Sequence, residues 1–155
     1  RRPERFAEVG QRLAAAGLRV GARSRLFDAA LAPQGPLPQI DVLLGDSLGE
    51  MYFYLAMADR VGVGGGFTPR GARNIIEPLV LGKPVLTGPV TWPIEYPFAE
   101  AALAGVARSV PDAAALAAAL LDPREPPPGA IAAFVAAHSG AAARTLAALD
   151  RLTSR

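Results

Sequence analysis

The sequence predicts an α/β fold, a doubly wound parallel sheet with helices on both faces. Three observations lead there. Short runs rich in Val, Leu and Ile alternate along the chain with segments of helical periodicity. The runs are apolar throughout, as in strands covered on both sides, and lack the in–out alternation of a half-exposed strand. Gly and Pro, 16 and 15 of the 155 residues, gather at the joints between them. With 51% hydrophobic and 19% charged residues the composition is that of a globular chain, and its length suits one domain over residues 1–155.

Residues 3–17 read as a helix, because Pro3 suits a first turn and Phe6, Val9 and Leu13 recur at spacings of three and four. Gly17 is placed to cap its end. A strand is expected over 18–24, a Pro-rich loop over 33–39 and a buried strand over 40–45. Residues 47–58 read as a helix and 59–66 as a strand running into a glycine loop. After the loop 67–73 comes a short helix, 74–82, ending at Gly82. A strand at 83–88 leads to the Pro-punctuated segment 89–97, then a helix at 98–105 and a strand at 106–110. Pro111 starts a helix to about Leu121, 122–129 is a break, and one long Ala-rich helix is expected over 130–152.

Composition excludes several chemistries. There is no Cys, hence no disulfide framework, thiolate metal site or Cys nucleophile. His138 is the sole His, which argues against a His-based metal centre or a Ser-His-Asp triad. The net charge is only +2 and the Arg residues are scattered, so no nucleic-acid partner is expected. A membrane span is not expected, because no run of about 18 apolar residues escapes charge or Pro. The opening residues do not resemble a signal peptide.

In a doubly wound sheet, ligands bind outside the carboxyl ends of the strands, which selects the loops 45–50, 64–74 and 88–96. In the first, Ser47 and Glu50 have capping-box spacing. Glu50 is either a cap, or part of a turn in which Gly49 leaves room for a ligand. In the second, Gly62 and Gly64 start a dinucleotide fingerprint, but Phe67 stands where its third Gly would be and Pro69 delays the helix, so that reading is rejected. Asn74 can cap a helix beginning at Ile75, whose free N–H groups suit a phosphate, with Arg70 and Arg73 beside it. Glu77 has capping-box spacing from Asn74, yet a carboxylate one turn behind a phosphate is also placed to hold ribose hydroxyls, and the second role is favoured. In the third loop Trp92 is a base-stacking platform or a lid on the core, the lid being favoured. His138 reads as an ordinary helix residue.

Several ordered motifs in 45–89 carry a resemblance. They are Asp46-Ser47-Leu48-Gly49-Glu50, Ala58-Asp59, Gly64-Gly65-Gly66, Gly71-Ala72-Arg73-Asn74, Ile76-Glu77-Pro78, Gly82-Lys83-Pro84-Val85 and Gly88-Pro89. This order resembles the C-terminal half of 3-deoxy-D-manno-octulosonic acid (Kdo) transferases, with their D-S/T-x-G-E, A-D, G-G-S/T, G-G-H-N, L-E-P, G-K-P-V and G-P. The opening RRPERF is similar to the family's P-R-H-P-E-R-F, with Arg2 in place of His. The resemblance spans roughly residues 1–100.

It implies the C-terminal, Rossmann-like donor domain of a GT-B glycosyltransferase, one that moves Kdo from CMP-Kdo to a lipid A precursor in lipopolysaccharide biosynthesis. It further implies that the first strand, the acceptor domain, the membrane-associating segment and the catalytic carboxylate base lie outside this chain. The piece would then be soluble and inactive alone, while the whole enzyme works at the cytoplasmic face of the bacterial inner membrane. Without its first strand, the sheet would have an exposed edge or an altered strand order. By position, Glu77 matches the glutamate expected to hold the ribose, and Gly71 and Asn74 the loop facing the CMP phosphate. Ser47, Gly49 and Glu50 match the turn near the nucleotide, and Arg1 matches an Arg near the donor phosphate. Ala72 and Arg73 replace the family's Gly-His, and Arg73 can serve a phosphate as His would. The segment 90–96 lacks the family's His and Asn-Phe, so no role is carried over there. No cofactor or metal is implied. The alternatives are a GT-B donor domain for another nucleotide sugar, such as a UDP-linked one, and a non-catalytic Rossmann-like binding module.

Overall fold

The computed structural model describes residues 3–153, and the chain divides into two compact units, Arg1–Met57 and Ala58–Arg155. In the first, a 3-10 turn (Pro3–Arg5) leads into α1 (Phe6–Ala15). Gly17 closes α1 as expected: the Leu18 N–H reaches back to the Leu13 carbonyl (3.2 Å) and the Gly17 N–H to that of Ala14 (2.9 Å). β1 (Val20–Ala22) is shorter than predicted, because the chain turns into the single-turn α2 (Arg23–Leu26). After the Pro-rich loop come β2 (Val42–Leu44) and α3 (Met51–Met57). β1 and β2 pair in parallel with Val20 opposite Val42. Just upstream, the Arg19 guanidinium and N–H both bond the Asp41 carboxylate (2.6 and 2.8 Å), which pins the register. Phe27 packs edge-to-face on Phe53 at 5.2 Å, with Leu55 buried.

The second unit holds β3 (Val61–Val63), α4 (Ile76–Val80), β4 (Val85–Thr87), α5 (Glu95–Leu103), β5 (Ala107–Ser109), α6 (Ala113–Leu121), α7 (Ala130–His138) and α8 (Ala141–Thr153). Its three strands are parallel in the order β3-β4-β5. β4 is central and buried along its whole length. Because successive side chains point to opposite faces, Val85 and Leu86 join different cores. Val85 packs with Ile75 and Leu79 of the α4 segment, Phe98 and Ala101 of α5, and Phe134 of α7. Leu86 packs with Val110 and with Ala119 of α6. Helices therefore cover both faces, as the apolar runs predict. Asp112 caps α6 by accepting the Ala115 N–H at 2.8 Å. Arg60 fastens the 122–129 break beside β3, donating to the Asp122 and Ala119 carbonyls and to the Glu125 carboxylate (2.5 Å).

The expected single helix over 130–152 is two. The chain breaks at Ser139–Gly140, where Gly140 takes φ +80° and the Arg144 guanidinium donates to the Ser139 carbonyl at 2.6 Å. By length and composition alone, an 18-residue window within Ala130–Thr153 reaches a mean hydropathy of 1.2, enough for a crossing helix, although Arg144 interrupts it, in keeping with the expectation that no such run escapes charge or Pro. The break divides it into helices of 9 and 13 residues. Each falls short of the roughly 20 residues that cross a bilayer.

Leu79 is 1% exposed and anchors α4, so Leu79→Ala is expected to lower stability by about 2–5 kcal/mol in denaturant unfolding. Asp122 is held down to about 2 by hydrogen bonds from Arg124. A carboxylate depressed in the folded state stabilises above its ordinary value and loses that contribution as pH falls toward the folded one. The stability difference between the native chain and Asp122→Asn should therefore shrink between about pH 4 and pH 2, as read by unfolding midpoints.

Candidate functional site

In the first unit, the turn after β2 is organised by a residue that motif spacing does not single out. The Arg23 guanidinium pairs with the Glu50 carboxylate at 2.5 Å, with the two side chains 8% and 16% exposed. It also donates to the Asp28 carbonyl at 2.9 Å. Ser47 donates its hydroxyl directly to Glu50, and the Tyr54 hydroxyl approaches the same oxygen at 3.4 Å. Ser47 and Glu50 thus bond each other, and α3 starts only after Glu50. The capping-box reading is replaced by a side-chain network. Alongside, Asp46 accepts from the Ser24 N–H (2.9 Å) and hydroxyl (2.5 Å). Burial pushes the Asp46 carboxyl up, but those two bonds and the Arg23 charge outweigh it and hold it below the usual range. Burial, together with the Glu50 carboxylate, raises Tyr54. Gly49 lies exposed at the tip of this turn.

In the second unit, the loop after β3 is zipped to the segment after β4. Gly66 and Gly88 lie back to back, and a Cβ on Gly66 would stand 2.6 Å from the Gly88 nitrogen. The Val90 N–H bonds the Gly66 carbonyl (2.9 Å), and the Ala72 N–H bonds the Val90 carbonyl (2.8 Å). Gly71 takes φ +73° with the Pro93 ring packed where a side chain would start. Its N–H is spent on the Thr68 carbonyl (3.0 Å), so what Gly71 contributes to a ligand is the shape of the loop. Arg70 and Arg73 are exposed. Asn74 accepts the Ile76 N–H at 2.8 Å, a turn between residues two apart, but it does not cap the helix: α4 begins at Ile76, one residue later than predicted, and the residue flanking it is Ile75, without a side-chain bond. Ile75 is fully buried, and Pro78 and Leu79 are buried beyond it. Glu77 lies between these anchors, half-buried, with no hydrogen bond or ion pair among the described residues.

The predicted residues thus fall in two groups: Ser47, Gly49 and Glu50 share the first unit's turn, while Gly71, Arg73, Asn74 and Glu77 share one loop and helix of the second. Arg1 and Arg2 lie outside the described residues. Trp92 is no core lid: it is 67% exposed, on a 3-10 turn (Trp92–Ile94). The physical reason is that its indole N–H is fastened to the Pro69 carbonyl (3.3 Å), which holds the ring out on the loop. His138 stacks on Phe134 at 4.1 Å with Nδ1 2.8 Å from the Phe134 carbonyl, the role of an ordinary helix residue. Among the described residues, no group of three or more His, Asp or Glu is arranged to hold a metal.

No family model matches the chain. It is 45% identical over 97% of its length to the 3-deoxy-D-manno-octulosonic acid transferase of Bordetella pertussis, covering 35% of that protein. The chain is a homologue of the Kdo transferases. It is also 34% identical over 94 residues to the Kdo transferase of Haemophilus influenzae, covering 20% of it. It therefore spans about a third or less of the curated Kdo transferases it matches. Among solved structures it resembles the C-terminal CMP-Kdo binding domain of WaaA from Acinetobacter baumannii, with TM-score 0.65 and 28% identity, covering 77% of this chain and 58% of that one. The α/β architecture is thus shared with the donor half of a GT-B Kdo transferase.

Removing one partner of a buried ion pair leaves the other charge uncompensated. Arg23→Met should therefore cost about 3–5 kcal/mol in unfolding experiments, and Arg23→Met with Glu50→Leu should recover most of it.

Proposed function

We propose that this chain is the donor-binding part of a Kdo transferase and takes CMP-Kdo. One observation carries the reading within the geometry. Of the carboxylates in the loops 45–50 and 64–77 that directly follow β2 and β3, Asp46 and Glu50 are consumed by internal bonds, while Glu77 is held by buried neighbours and has no partner among the described residues. A carboxylate on a backbone held by buried neighbours, with two free oxygens, matches a pair of vicinal ribose hydroxyls. Arg73 and Asn74, four and three residues earlier, meet the CMP phosphate, and Arg70 adds positive charge. In the transfer, the bond between the sugar's anomeric carbon and the phosphate oxygen breaks, and the oxygen keeps the electron pair and leaves as CMP. The acceptor hydroxyl bonds to that carbon and gives its proton to a carboxylate base. This chain's share is to offset the charge gathering on the phosphate, which is electrostatic stabilisation of the leaving group.

The homology supports the rest of the reading. The base, the surface for the lipid A precursor and the attachment to the cytoplasmic face of the inner membrane belong to the part of the enzyme beyond this chain. No cofactor or metal enters the scheme.

Calorimetric titration should show CMP binding to this chain with UDP much weaker. Hydrogen bonds to a charged group are each worth about 1.5–3 kcal/mol, so Glu77→Gln should weaken CMP by roughly 10- to 100-fold with the fold unchanged. Equal or tighter UDP binding would replace the donor, and unchanged CMP affinity in Glu77→Gln would remove the ribose role.

A further inference from the structure

We propose that Trp92 is the platform on which the ring of the transferred sugar stacks. The inference rests on the CMP-sugar reading above and extends it to the sugar end of the ligand. Trp92 is the only Trp of the chain and is 67% exposed. Exposure alone does not single it out, since Tyr96, Leu121 and Leu103 are more exposed; the fixed mount of so large an aromatic face does. The mount is rigid for reasons already visible. The indole N–H is satisfied by the Pro69 carbonyl at 3.3 Å, Pro93 packs on Gly71, and the Ile94 N–H closes the turn onto the Thr91 carbonyl at 2.9 Å. The ring face is thus presented outward while its polar edge is occupied. Tyr96, 69% exposed, lies four residues on from it.

Position along the loop selects the sugar over the base. Read backwards from α4, the loop offers Glu77 to the ribose, then Asn74 and Arg73 to the phosphate, then Gly71 and Pro69, where Trp92 is fastened. The ligand runs in the same order: ribose, phosphate, sugar. What lies past the phosphate on the Trp92 side is the sugar, and the base extends from the other end. A pyranose ring presents C–H groups, whose slightly positive hydrogens suit the electron-rich face of an indole.

The single Trp makes the test direct. CMP-Kdo should change the Trp92 fluorescence, whereas CMP, which has no sugar beyond its phosphate, should leave it nearly unchanged. Trp92→Ala should weaken CMP-Kdo by about 3- to 10-fold and leave CMP affinity as it was, while Trp92→Phe keeps most of the CMP-Kdo affinity. Amide NMR spectra of both variants establish that the fold persists. If both ligands bind, yet Trp92 emission is unmoved and Trp92→Ala binds CMP-Kdo as the native chain does, the platform is overturned and the donor reading survives. If Trp92→Ala weakens CMP and CMP-Kdo equally, the ring serves the nucleotide and the assignment to the sugar is overturned. If neither ligand binds the native chain by calorimetry, the donor reading itself fails and takes this inference with it.

Discussion

The functional half of the second unit hangs from one buried strand. β4 is covered on both faces, so Val85 and Leu86 each find a core and Thr87 is fully buried. At its carboxyl end, Gly88 presses against Gly66 so closely that neither position has room for a side chain. That contact joins the loop after β3 to the segment after β4. Everything proposed for the ligand follows from it: the left-handed Gly71 under Pro93, the Asn74 turn onto the Ile76 N–H, the position of Glu77 and the outward ring of Trp92. A side chain at either glycine would separate the two segments and disperse the site.

The two turns treat their carboxylates differently, and burial explains why. Glu50 is largely shielded from water and would be costly alone, so Arg23, Ser47 and Tyr54 surround it. Asp46 is likewise absorbed by Ser24. Such groups keep a turn in one shape. Glu77 has the opposite arrangement: its backbone is immobilised by Ile75, Pro78 and Leu79, and its carboxylate has no partner among the described residues. Rigid backbone with unspent hydrogen-bonding capacity is the arrangement that binds small polar ligands without an ordering penalty.

Two departures come from local chemistry that periodicity does not capture. The Ala-rich terminal region has helical composition throughout, and composition is blind to the left-handed turn that Gly140 permits. The spacing of Ser47 and Glu50 fits a cap, but the same spacing also fits a direct side-chain bond once a buried guanidinium arrives from α2, just after β1.

By itself, the sequence determined the alternation of strands and helices, the parallel pairing, the loops at the carboxyl ends of the strands and the motif order that marks Glu77, Asn74 and Gly71. These rest on local properties, namely apolar runs, glycine and proline punctuation and short spacings, so they are legible along the chain. Tertiary structure alone decided that Arg23 reaches Glu50 across the β1–β2 pair. It also decided that the Ala72 N–H is spent on the Val90 carbonyl of the neighbouring segment and that Trp92 faces outward. Those outcomes depend on contacts between residues 18 or more positions apart (Ala72 and Val90 being the nearest pair), set by strand register and by how closely two glycines approach, and a linear pattern carries no measure of either.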